Sequence, residues 1–108
     1  MMKPKQPYEL IYDPEVARHL ARIERKYHPL IRNTIEEQLS YEPETETRNR
    51  KPLIRPTKLG ANWELRFGPD NRFRVFYQTD QSIRKVAILA IGVKKGNRLF
   101  IGREEFEL

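Results

Sequence analysis

The side chains of this 108-residue chain that could do chemistry are arginines and lysines set among apolar and aromatic residues, in the stretches Trp63 to Tyr77 and Val86 to Phe100. In WELRFGPDNRFRVFY the residues follow the period of two that a β-strand imposes. Trp63, Leu65 and Phe67 therefore face one way, and Glu64 and Arg66 the other. Gly68 to Arg72 carry the Gly, Pro, Asp and Asn that suit a hairpin connection. Beyond it, Phe73, Val75 and Tyr77 form a second apolar set, with Arg72, Arg74 and Phe76 opposite. If the two apolar sets share a core, Glu64, Arg66 and Arg74 share the outer face and make a floor for an anion.

Arginine binds two phosphate oxygens with its planar fork and stays charged, so it stabilises transition-state charge well and is a poor base. Cleaving an RNA phosphodiester through its own 2′-hydroxyl needs that stabilisation, in-line geometry, a proton acceptor and a donor to the leaving oxygen. A lysine serves as acceptor only when burial or neighbouring cations depress its pKa, as a cluster including Lys94 and Lys95 would do. Glu64 is either a base or a counter-charge that neutralises the cationic cluster, with the second role preferred. Trp63 and Tyr77 share the inward parity and read as core, Tyr77 with a polar handle. Arg72 and Asp70 are expected to pair across the turn, a weak interaction when exposed.

Other chemistries find little support. The chain has no cysteine, no Gly-rich phosphate loop, and no His pair with a carboxylate at metal-ligand spacing, so neither a metal nor another cofactor is expected. His19 and His28 read as surface or capping residues, and Glu36 and Glu37 as a solvated helix face. The net charge of +6 is unevenly spread. Arg48 to Arg98 hold 13 Lys or Arg against three acids, or +10, leaving 8 basic and 12 acidic residues elsewhere, or −4. A basic block containing strands suggests a folded surface shaped for phosphates, the alternative being a basic surface that only keeps the protein in solution.

The elements that must position these residues follow from periodicity. Tyr8 to Tyr12 reads as a strand stopped by Asp13-Pro14, a helix N-cap followed by proline. Val16, Leu20, Ile23 and Tyr27 give the apolar stripe of a helix over residues ~14 to 27. After His28-Pro29, Leu30 or Ile31, Ile35 and Leu39 give a second over ~29 to 40. Glu42 to Pro56, charged and proline-interrupted, reads as a loop. Ile83 to Ile91 reads as a central strand covered on both faces, ended by Gly92, with Lys94, Lys95, Asn97 and Arg98 in a polar loop before a short Leu99-Phe100-Ile101 strand or turn. The acidic tail Arg103 to Leu108 is either docked or frayed. One domain over residues 1–108 is expected, with 1–6 a flexible lead-in. Without an apolar leader or membrane span, a cytoplasmic protein is expected.

The order strand, helical hairpin, charged loop, strands, together with WELRFGPDNRFRVFY and ILAIGVKKGNRLF, resembles the RelE/ParE superfamily of toxins from bacterial toxin–antitoxin pairs. The resemblance implies an α+β fold: a small antiparallel sheet of about four strands, with the N-terminal strand and helical hairpin packed on one face and a basic site on the other. It implies metal-independent, ribosome-dependent mRNA cleavage, with inhibition of DNA gyrase, or binding of nucleic acid or antitoxin alone, as the other outcomes within the superfamily. Arg74 matches the arginine at the scissile phosphate, Arg66 the second strand lysine, and Lys94 or Lys95 the later arginine associated with leaving-group protonation. These form the expected catalytic set. Phe100 takes the place of a base-stacking tyrosine. Lys51 precedes Pro52-Leu53 where some relatives place a glutamate base. Arg72, Phe100, Lys51, Lys58 and Glu64 make up the expected substrate-binding set. The partners implied are a cognate antitoxin, the ribosome and mRNA, with the chain a monomer alone or a hetero-oligomer with antitoxin.

Overall fold

The computed structural model describes residues 6–106. The expected flexible lead-in falls mainly on residues 1–5, outside the described residues, and so do the last two residues of the acidic tail. In chain order the elements are β1 (Glu9–Tyr12), α1 (Val16–Ala21), α2 (His28–Leu39), β2 (Arg50–Pro52), β3 (Trp63–Phe67), β4 (Phe73–Asp80), β5 (Lys85–Lys95), β6 (Arg98–Ile101) and β7 (Glu104–Phe106). The α+β class holds, but one seven-stranded sheet replaces the expected four. Its order is β2-β3-β4-β5-β6-β7, antiparallel throughout, and β1 joins it by pairing parallel to β5.

Strand β5 organises the molecule. One edge pairs with β4 from Lys85 to Val93, while the other pairs with β1 over Lys85 to Ile88 and with β6 over Gly92 to Lys95. A bulge opposite Phe76 and Tyr77 inserts Leu89 and reverses the parity of the strand. Val86 and Ile88 before it, and Ile91 after it, therefore reach the same main core, whereas Leu89 and Ala90 both pack on the other face. The near-continuous apolar run is thus the signature of a bulged strand covered on both sides. Gly92 does not end it. A Cβ there would lie 3.0 Å from Leu99, 3.1 Å from Ile101 and 3.1 Å from the Phe100 carbonyl, so the glycine lets β6 approach and the strand continues through Lys94 and Lys95. Ile83 lies before the strand and is exposed.

The helices cover one face. Pro29 sits in the first turn of α2, which buries Ile31, Ile35 and Leu39, while Leu30 is exposed. The first helix is shorter than its stripe suggests. It stops at Ala21, Glu24 is extended, and a 3₁₀ turn over Arg25–Tyr27 redirects the chain into α2. His28 makes the break tolerable: its Nε2–H is shared between the carbonyls of Leu20 and Ile23, 2.9 Å from each, and so caps the end of α1. At the other end Asp13 accepts from the Glu15 N–H at 2.9 Å.

The segment expected to be loop contains β2. Its three residues pair with Trp63, Glu64 and Leu65, and Arg50 is anchored by donating from Nη1 to the Gln38 carbonyl at 2.6 Å. Three charged or proline residues carry no strand pattern of their own; the partner strand supplies it. The hairpin β3–β4 forms as alternation requires, with Trp63 opposite Tyr77, Leu65 opposite Val75 and Arg66 opposite Arg74. Its turn uses positive φ at Gly68, Asp70 and Asn71. Gly68 is further fixed because a Cβ would come within 2.4 Å of the Phe73 ring. Leu65, Phe67, Phe73, Val75 and Tyr77 join the helices' apolar residues in the main core. Trp63 packs at its margin, stacked on Tyr77 at 6.2 Å between ring centroids. Tyr77 is fully buried and donates to the Pro43 carbonyl at 2.7 Å, and burial raises its pKa far above the ordinary tyrosine value.

Candidate phosphate-binding cleft

The face of the sheet away from the helices carries a small second core of Ala61, Phe76, Ala90, Leu99 and Ile101. Around it opens a cleft of about 990 Å³. The segment Leu53 to Leu59 forms one wall, β7 another, and Glu64, Arg66, Arg74 and Lys94 the floor. Alternation on β3 and β4, extended to β5 by its bulge, puts these four side chains on the same side. Arg66 and Arg74 are directly opposed, an arrangement that like charges disfavour. Glu64 resolves it by accepting through the same oxygen, Oε1, from Arg66 Nε and from Arg74 Nη1, the latter at 3.1 Å. The counter-charge role preferred for Glu64 is the one its geometry displays.

The two arginines differ in access. The Arg74 side chain is only 7% exposed and is further held by donating from Nε to the Asn71 carbonyl at 3.0 Å, whereas that of Arg66 is 42% exposed. Burial draws the Arg74 pKa below the ordinary arginine value; Glu64 opposes that shift and Arg66 adds to it. An arginine starts so far above neutrality that the group stays a cation. Among the described residues, no hydrogen bond occupies Arg74 Nη2 or Glu64 Oε2. The floor is therefore a rigid, partly desolvated cation beside a more accessible one, with donors left for an anion.

The remaining expected site residues divide. Lys94 and Lys58 line the cleft. Lys51 is opposite Glu64 across β2–β3 and so shares its face, but its ammonium pairs with Glu46 at 3.5 Å. Lys95 and Phe100 are not in the cleft. As neighbours on a strand, Lys94 and Lys95 project to opposite faces, so they form no cluster with each other. Phe100 is opposite Val93 and takes the helix side, where Lys95 Nζ lies 5.7 Å from its ring. Arg72 precedes β4, and the turn swings it away from Arg74. Its guanidinium sits 5.9 Å over Tyr27, and no ion pair with Asp70 forms.

Several cleft residues have no chemical signal in the sequence. Arg55 belongs to a segment that reads as loop, Thr57 follows it, and Glu104, Glu105 and Phe106 belong to a tail that reads as docked or frayed. The three tail residues are placed by β7 folding back on β6 across a positive-φ Gly102. His19 is half-buried: its Nδ1 accepts the Ile91 N–H at 3.2 Å, filling the gap on β5 between its β1 and β6 partners. That bond requires unprotonated Nδ1, and burial lowers the ring's pKa below the ordinary histidine value, against smaller opposing effects of Glu15 and Asp13. Among the described residues, no three His, Asp or Glu side chains group as metal ligands, and no helix is long and apolar enough to cross a membrane.

The molecule is thus a small α+β sheet with helices on one face and a cationic cleft on the other. No family model and no curated protein matches the chain. Among solved structures, it is similar to a chain of the toxin–antitoxin complex RelBE2 from Mycobacterium tuberculosis. The two share 24% identity with a TM-score of 0.67, over 86% of this chain and 98% of that one. The fold is RelE-like.

Proposed function

We propose that the protein is the toxin of a toxin–antitoxin pair that inhibits translation by cutting mRNA on the ribosome without a metal. The observation that carries this reading is the convergence of Arg66, Arg74 and Lys94 in one cleft on the open face of a RelE-like sheet. Arg74 holds the scissile phosphate and, with Arg66, stabilises the charge that builds on it. Lys94 donates to the leaving oxygen. A protein antitoxin neutralises the toxin in the cytoplasm. Induced expression should arrest growth and leave messages cut within translated codons, mapped by primer extension. Arg74→Ala should lower cleavage about 10²- to 10³-fold, the usual loss for one preorganised charge-stabilising donor. Growth arrest with intact messages would overturn the nuclease reading.

A second reading, a protein that binds its anionic target without turnover, is favoured by one feature. Glu64, the carboxylate of the cleft floor, is committed through Oε1 to both arginines and so is poorly placed to take a proton. Inhibition of gyrase belongs to this reading. It predicts accumulation of cleaved gyrase–DNA complexes, with Arg74→Ala having little specific effect.

A further inference from the structure

The cations that the fold removes from the cleft regroup on the other side of the sheet's end. Arg72 and Lys26 lie 5.9 and 5.1 Å from the Tyr27 ring, and Lys95 lies 5.7 Å from Phe100. Tyr27 is fixed from below by the buried Phe73, 5.2 Å away between ring centroids. Arg72, Lys95, Tyr27 and Phe100 border one small pocket of about 150 Å³ that Arg22 and His19 also line. A cavity of that size takes a benzene-sized ring. Glu24 also lines it but is paired with Lys26 at 3.6 Å, so Arg22, Arg72 and Lys95 leave the pocket positive.

The pocket and the cleft are joined by the backbone. The Arg72 carbonyl accepts the Lys94 N–H at 2.7 Å, Lys94 projects into the cleft, and Lys95 next to it projects to the pocket side. A positive strip therefore wraps the end of the sheet, from Arg66 and Arg74 through Lys94 to Lys95 and Arg72. We propose that a single RNA strand follows this strip, so that a nucleotide flanking the one held at Arg74 places its base in the Tyr27–Phe100 pocket and its phosphate on Arg72 and Lys95. The inference rests on the reading that the cleft takes an RNA phosphate. An aromatic-walled pocket with room for one ring suits an unstacked base, which a single strand presents and a duplex does not.

The test uses the purified protein and a short 2′-O-methylated RNA, which cannot be cut through its 2′-hydroxyl, carrying a photoreactive uridine. Crosslinks mapped by mass spectrometry should fall on Tyr27 or Phe100. The double variant Arg72→Ala/Lys95→Ala should reduce the slope of log affinity against log salt by about 0.7, the value for the one phosphate that the two side chains hold. Crosslinks confined to the cleft, or an unchanged slope, would overturn the proposal. Crosslinks at the pocket without message cleavage in cells would sink the nuclease reading and keep this one; cleavage with crosslinks only in the cleft would do the reverse.

Discussion

The two faces of the sheet are built from alternate residues of the same strands, yet they bury opposite kinds of chemistry. On the helix side Leu65, Phe73, Val75 and Tyr77 are closed off by α1 and α2, and the burial is almost wholly apolar. On the open side Glu64 and Arg74, only 4% and 6% exposed, are buried as ions. Their neighbours Phe76, Leu99 and Ile101 form a core much smaller than the helix-side one. Apolar burial stabilises without direction, whereas a buried ion stabilises only if its partner is kept. The helix face is therefore the side that holds the fold together. The cleft face trades stability for fixed charge, an arrangement that suits a site awaiting an anion.

Substitutions can break this contrast at either face. The largest expected effect is at Phe73, fully buried against Phe67 and Tyr27. Phe73→Ala should cost about 3 to 5 kcal/mol of unfolding free energy in urea titration. A loss under about 1 kcal/mol would mean the helix-side core is not what carries the fold.

Next is Glu64→Gln. Removing the charge between two facing arginines should destabilise by about 3 kcal/mol, at the low end for a broken buried pair because Arg66 is partly solvated. The same variant should bind a short RNA more tightly at low salt, since the cleft loses its competing carboxylate. Lower stability with weaker binding would show that Glu64 positions the arginines rather than merely neutralising them.

The smallest effect concerns His19, a polar link between α1 and the sheet. Its folded pKa is lowered, so below the ordinary value near 6.5 the unfolded chain takes up the proton more readily than the folded one. This contribution should be complete above pH 6.5, decline as pH falls toward the lowered folded value, and then level off. His19→Ala should remove that part of the pH dependence and cost about 1 kcal/mol at pH 7.5, as expected for one hydrogen bond. A pH profile identical to wild type between pH 5 and 7 would show that the Ile91 contact carries no stability.

Much of this could be read along the chain. Period-two alternation located the β3–β4 hairpin, its turn chemistry and the shared face of Glu64, Arg66 and Arg74, because the side-chain direction of a strand is a local property. The α2 stripe was equally local. What escaped depended on partners. Three-residue β2 is a strand only because β3 lies beside it. Gly92 reads as a terminator until β6 is seen against it. The early stop of α1 depends on His28 reaching back to its last carbonyls.

By itself the sequence determined most of the strands and helices, the main core and the central arginine pair, since each follows from the periodicity of residues close in the chain. The tertiary structure decided which other cations join that pair. Strand parity separates Lys94 from Lys95, a turn with positive φ carries Arg72 to the helix side, and the return of β7 brings Glu104 and Phe106 to the cleft. Those placements are set by strand register and turn geometry between distant segments, which residue type alone does not encode.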